Sequence, residues 1–360
     1  MKKFLSMILV LAAMLAAMLA IFAVPANAAE IALVTDVGSI DDMSFNQSTW
    51  EGVVAYAEAN GKSYQYYQPA ADSDDERLGS IDQAVSDGAK VIVLPGYLFN
   101  AAVGDAQELY PDVKFIAVDV EMEVEQKENV YTFIFGEEQA GYVAGYAAVK
   151  DGFTKLGFLG GMAVPAVQRY GYGFVQGANA AAVELGIPIE INYTYGGQFF
   201  GDANITAKME GWYSTGTEIV FACGGGIWTS AAEAAVNNNG FVIGVDNDQH
   251  ALGEPMVATH GYNPFITTAF KDIPYVTELA LTKFFDGKWE EIGGKADLLN
   301  LQMGDYVGLP TKESSWCFRT YTVEEYQELV AKIRSGELVV SNAVDAAPAT
   351  DASVVVNYID

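Results

Sequence analysis

IALVTDVGSIDDMSFNQSTWEG, residues 31 to 52, is the stretch from which the fold is read. Ile31 to Val34 form a short apolar run that stops at Thr35 and Asp36, the pattern of a buried strand with a polar end. Gly38 and Ser39 supply a turn, and Asp41, Asp42 and Ser44 offer capping side chains. Phe45, Trp50, Val53, Val54 and Tyr56 then recur at helical spacing. A strand, a polar loop and a helix follow one another. In open α/β sheets ligands bind beyond the carboxyl ends of the strands, so a loop carrying Asp36, Asp42, Phe45 and Asn46 lies where a small molecule is held. A plain strand-to-helix connection with a capping Asp and a core Phe is the competing interpretation.

Outward from this unit, strands and helices alternate. The pattern predicts strands over 63–68, 90–94 and 114–120, with helices over 80–87 and 100–109 between them. After a small-residue helix at 139–149 the pattern restarts. Strands are predicted at 155–159, 189–193, 218–222 and 241–245, with a Gly- and Ala-rich helix over 170–185. Continuous apolar strands separated by helices imply parallel sheets covered on both faces. A long helix is read from Phe270 to Gly287 with Lys271 in its first turns, where a solvated charge is usual. A hydrophobic stretch at 297–301 and a helix at 323–335 follow, and the tail from Gly336 is read as loosely attached.

Residues 1–28 read as a signal peptide: Lys2 and Lys3, an apolar run from Phe4 to Val24, then Ala26, Asn27 and Ala28 in a small-x-small pattern. An uncleaved anchor is the competing interpretation, because the run is long enough to span a bilayer. No Cys ends the run, so the usual lipid-anchor signal is missing. The chain has 19 basic and 47 acidic residues and a net charge of -28, which becomes -30 without Lys2 and Lys3. This balance argues against nucleic acid and anionic membranes as partners. About 330 mature residues exceed what one core usually serves, so two lobes are expected. Cys223 and Cys317 are the only cysteines and form no metal or disulfide framework, and their pairing is left open. His250 and His260 have no nucleophile motif around them, so no catalytic residue, metal or cofactor is assigned.

Strand ends carry the candidate ligand groups. Asp119 and Asp246 each close an apolar strand, and a carboxylate there needs a partner. Gly224 to Gly226 lack both the Lys-Ser/Thr ending of a phosphate loop and the dinucleotide spacing, so they are either a close-approach loop or a tight turn. Phe199 and Trp228 are either stacking faces or core aromatics.

The segments VTDVGSIDDMSFNQSTWEG, PDVKFIAVD, FGEEQAGYVAGYAA, KLGFLGGM with PAVQRYGYGF, VFACGGG and IGVDNDQ occur in the order seen in the basic membrane protein family. The resemblance covers about residues 31 to 329. This family comprises purine nucleoside receptors of bacterial ABC importers. The resemblance implies an α/β fold of the type I periplasmic binding protein class, two Rossmann-like lobes joined by three hinge strands. On that template the first lobe is 29–136 plus 263–296, the second 137–262 plus 297–335, and 336–360 a flexible tail. It implies that Phe45 stacks on the purine, with Asn46 and Asp119 at the base edge. Asp36, Gly226, Asp246 and Lys271 match groups associated with the ribose. Phe199, Phe221 and Trp228 are candidates for the second stacking aromatic, since GGGIWTS carries a Trp where relatives have only a glycine-rich run. The implied protein is exported, periplasmic or associated with the cell surface. It is a monomer that binds adenosine, guanosine or inosine and serves an ABC permease. A sugar or autoinducer receptor of the same fold, and a nucleoside hydrolase, are the alternatives.

Overall fold

The computed structural model describes residues 29–359; the signal or anchor reading of 1–28 lies outside them. In chain order the first half comprises β1 (Ile31–Val34), α1 (Phe45–Asn60), β2 (Tyr64–Tyr67), α2 (Asp74–Ser86), β3 (Val91–Pro95), α3 (Asn100–Leu109), β4 (Lys114–Val118), β5 (Val130–Phe135) and α4 (Glu137–Lys150). The pattern repeats through β6 (Lys155–Gly160), α5 (Pro165–Leu185), β7 (Ile189–Tyr195), α6 (Ala203–Ser214), β8 (Ile219–Cys223), α7 (Trp228–Asn238) and β9 (Phe241–Asp246). The chain closes with α8 (Glu254–His260), β10 (Phe265–Lys271), α9 (Ile273–Phe285), β11 (Ala296–Leu299), β12 (Val307–Gly308), α10 (Val323–Ser335) and β13 (Val354–Tyr358).

Two sheets result, ordered β11-β5-β4-β3-β1-β2 and β12-β10-β9-β8-β6-β7-β13. Apart from the antiparallel β10–β12 pair, neighbouring strands run parallel. Because side chains alternate across a strand, each sheet buries both faces. Leu33, Ile116 and Phe133 share one apolar cluster with Phe158, Phe221 and Ile243 of the second sheet. Ala32, Ile92 and Phe115 turn to the opposite face, under Ile81 of α2 and Val103 of α3.

Helices α4 and α5 explain the small-residue stretches. A Cβ added at Gly145 would lie 2.1 Å from the Phe174 carbonyl oxygen, and one at Gly177 only 1.9 Å from that of Tyr142. The backbones therefore touch, and no side chain larger than hydrogen fits between them.

Several sequence expectations are corrected. The strand β5 was not anticipated; its run VYTFIF follows a loop with no helix before it, so no alternation announced it. Residues 263–296 do not belong wholly to the first lobe. β10 pairs with β9 in the second sheet, and the chain returns to the first lobe only at α9. Lys271 is accordingly the last residue of a buried strand, not part of a helix, and is 4 % exposed. β11 pairs with β5, so 297–299 lie in the first sheet. The three crossings thus fall near Gly136, Asp272 and Asn300. The tail is not loose at its end: β13 adds to the edge of β7, and Ser341 and Asp351 bond Gln176 and Asn179 of α5 on the way.

Candidate functional site

The carboxyl ends of the two sheets face each other across a cleft. Asp36, Phe45, Asn46 and Asp119 line it from the first lobe, and Phe199, Asp246 and Lys271 from the second.

The first-lobe wall is built by local capping. The Asp42 carboxylate accepts from the backbone N–H groups of Ser44 (2.8 Å), Asn46 (3.1 Å) and Gln47 (3.1 Å), fixing the start of α1 and with it Phe45 and Asn46. Burial pushes the Asp42 carboxyl up to about 6 against those bonds. Asp36 Oδ1 accepts from Asn46 Nδ2 (2.9 Å) and from the Gly38 N–H (2.7 Å). Its carboxyl is raised, burial outweighing those donors. Gly96 (φ 112°) lies so close that an added Cβ would be 2.9 Å from Asp36 Oδ2.

The centre of the site is ionic. Lys271 Nζ bonds Asp119 and lies 3.1 Å from Glu137 Oε1. The same ammonium sits 5.2 Å from the ring centres of Phe45 and Tyr170 and 5.4 Å from that of Phe135, within cation–π range. Glu137 Oε2 accepts from Arg169 Nε at 2.7 Å, and Arg169 reaches Glu121 at 2.9 Å. Burial opposes ionisation of Glu137, but Arg169 and Lys271 outweigh it and hold its carboxyl below the ordinary value. Burial would lower Lys271, yet Asp119, Glu137 and Asp246 raise it, so it remains an ammonium. The Asp119 carboxyl is pushed up to about 7, by burial first and by Glu137, with Lys271 opposing. Its Oδ1 is buried and has no hydrogen-bond partner among the described residues.

Asp246 accepts from Ser44 Oγ across the cleft at 2.6 Å, and burial raises its carboxyl. Asp119 and Asp246 both have left-handed backbones, with φ of 56° and 61°. Such conformations are uncommon for residues other than glycine and cluster at functional sites.

Three predicted residues fall elsewhere. Phe221 is core, its ring 5.5–5.8 Å from those of Phe158, Tyr170 and Phe174. Gly226 uses its N–H on the Phe199 carbonyl at 2.8 Å, so it pins the Phe199 loop and has no free donor for a ligand. Trp228 does not line the cleft; its indole Nε1 donates to the Asp42 carbonyl at 3.1 Å and its ring meets Phe265 edge-on. Groups expected at the base edge and at the ribose bond one another here: Asn46 bonds Asp36, and Lys271 bonds Asp119. Sequence reasoning missed Glu137 and Arg169. Their signal was a carboxylate pair opening an apolar helix and a lone Arg in a Gly- and Ala-rich one. The cysteines are unpaired, Cys223 buried at the cleft and Cys317 exposed. No group of three or more His, Cys, Asp or Glu side chains among the described residues is arranged to hold a metal ion.

The model of one protein family, described as ABC transporter substrate-binding protein PnrA-like, matches residues 29–343. The ABC transporter nucleoside-binding protein BmpA of Lactococcus lactis subsp. cremoris is 30% identical over 287 residues, 76% of this chain and 79% of that protein. Basic membrane protein B of Borreliella burgdorferi is 28% identical over 290 residues, 78% of this chain and 80% of that one. Among solved structures, an ABC transporter solute-binding protein of Aeropyrum pernix K1 superposes with a TM-score of 0.72 at 21% identity, covering 88% of this chain and 94% of that one. This last likeness bears on the two-lobed periplasmic-binding fold alone.

Proposed function

This chain belongs to the family of PnrA-like ABC transporter substrate-binding proteins, and we propose that its ligand is a purine nucleoside held between the lobes. Family membership makes the chain a binding component that hands a small molecule to a membrane permease, and not an enzyme. The nucleoside reading goes further. It is supported first by Asp119 Oδ1, a buried acceptor with no hydrogen-bond partner among the described residues, on the wall that also carries Phe45. An unpaired buried acceptor is costly, and the N–H edge of a purine supplies the missing donor. Phe45 and Phe199 offer apolar faces for the ring, while Asp36 and Asp246 offer carboxylates for ribose hydroxyls. Four buried carboxylates, Asp36, Asp119, Glu137 and Asp246, face three buried cations, Lys271, Arg169 and, acting on Asp36, Arg77. That excess of negative charge disfavours a phosphate, so nucleosides are preferred over nucleotides. The name of the Lactococcus relative points the same way.

On this reading the protein works outside the cytoplasm as a monomer. No helix among the described residues is long and apolar enough to cross a membrane. The test is a thermal-shift and calorimetric panel of adenosine, guanosine, inosine, free bases, ribose and adenosine monophosphate. A nucleoside at 100 times its Kd should stabilise the protein by about 2.7 kcal/mol. Equal affinity for adenosine and its monophosphate sinks the reading.

A further inference from the structure

We infer that residues 42–44 are the catch of an interlobe clasp, closed by Trp228 and Gln249, and that these two positioning residues set how long a ligand stays. Three consecutive first-lobe residues each meet a different second-lobe side chain. The Asp42 carbonyl accepts from Trp228 Nε1 at 3.1 Å, and the Met43 carbonyl from Gln249 Nε2 at 2.8 Å. Ser44 Oγ donates to Asp246 at 2.6 Å. Asp246 belongs to the cleft wall, but Trp228 and Gln249 do not line it, so their bonds serve closure and not contact with a ligand.

Both halves of the clasp are preset. On the second lobe, Gln249 is 1 % exposed. Its Oε1 accepts from the Val245 N–H at 3.1 Å, and its backbone N–H donates to Thr268 Oγ1 at 3.0 Å. The amide is thereby aimed whether or not the first lobe is near. Trp228 is held by its edge-on contact with Phe265. On the first lobe, Met43 has the left-handed backbone (φ 56°), and Asp42 is bound to the N–H groups that start α1. Loop 42–44 is therefore rigidly joined to Phe45 and Asn46, which line the cleft. Closing the clasp and placing those two side chains are one movement.

Hydrogen bonds between lobes exist only when the lobes meet. They stabilise the closed state alone and so slow opening, leaving entry into the open cleft unaffected. Trp228 was a candidate stacking face; its place is explained as a latch. The clasp acts on any small molecule in this cleft, so the inference goes beyond the nucleoside reading.

Trp228→Phe keeps a ring against Phe265 and removes only the donor. With adenosine as probe, stopped-flow displacement from the full chain should show release about fivefold faster, with association changed by less than about twofold. Gln249→Leu should act in the same direction, and Trp289→Phe, whose indole bonds Glu128 within the first lobe, should change neither rate. Unchanged release in both Trp228→Phe and Gln249→Leu overturns the clasp, as does a slower association with release unaltered. The indole N–H resonance of Trp228, identified by its loss in Trp228→Phe, should be protected from solvent exchange. If adenosine does not bind, the nucleoside reading fails by itself. The clasp is then judged on the ligand-free chain, where a protected indole N–H supports it and free exchange overturns it.

Discussion

Acidification should weaken adenosine binding through one identifiable group. In the free protein the Asp119 carboxyl is pushed up to about 7, by burial first and by Glu137, with Lys271 opposing. In the proposed complex a base N–H donates to Asp119 Oδ1 and holds the group ionised. Its proton affinity is then lower bound than free, so binding releases a proton and is favoured as pH rises. With full ionisation in the complex, the apparent Kd scales as one plus the ratio of protonated to ionised Asp119 in the free chain. That factor is about 1.1 at about pH 8 and about 11 at about pH 6, a tenfold loss of affinity or about 1.4 kcal/mol. Calorimetry at both pH values should find this ratio. Near pH 7, titrations in two buffers of different ionisation heat should report release of about half a proton. Asp119→Asn, which cannot titrate, should flatten the dependence. Equal affinities at the two pH values refute the reasoning. So does tighter binding in acid, which would mean that a neutral Asp119 donates to the ligand.

Lys271→Met should destabilise the free chain by about 3–5 kcal/mol in denaturant melts, because it strips the cation from buried Asp119 and Glu137; a loss below about 1 kcal/mol contradicts the assigned charges. Gly177→Ala should cost at least about 1–3 kcal/mol, since the new methyl meets the Tyr142 carbonyl, whereas Gly79→Ala in open space should stabilise by up to about 1 kcal/mol. The same melts check both. Removing residues 344–360 should lower the thermal midpoint and promote self-association seen by light scattering, because it uncovers the edge of β7.

The parallel sheets were legible because their strands are apolar runs ending in Asp, Gly or Asn. The segments around Asp36, Phe45, Asn46, Asp119, Phe199 and Asp246 were found for the same reason: each lies just beyond a strand, and each of these residues reaches the cleft. What could not be read was pairing between distant segments. Phe265 to Lys271 has no turn before the helix that follows, so the strand was not read, its last two residues were taken into the predicted helix, and Lys271 was placed on a surface. Only the register of β10 against β9 puts that side chain at a sheet end, among Asp119 and Glu137. Val354 to Tyr358 failed for a related reason: a short Val-rich run in an Ala- and Asp-rich tail shows no periodicity until β7 offers an edge. Trp228 was weighed as an aromatic face, whereas its indole N–H decides its role. Chain position and residue type do not say which end of an amphipathic ring is used.

The charge arrangement also explains how a ligand should stabilise closure. Asp119 of the first lobe meets Lys271 of the second, while Asp246 of the second meets Ser44 of the first. Each lobe offers an aspartate to the other's donor. Both aspartates are held at left-handed backbone angles, a conformation that persists only where surroundings over-determine it. Separating the lobes removes both donors at once. With the cleft empty, the closed lobes leave these carboxylates too few partners, as Asp119 Oδ1 shows. The raised carboxyls of Asp36, Asp119 and Asp246 express the same deficit, with burial the largest cause in each. A ligand bearing several N–H and O–H donors and no negative charge makes up the deficit, whereas an apolar molecule leaves it and an anion deepens it. The differential affinity that shifts the lobes toward closure therefore lies in donor count and charge as much as in the aromatic walls.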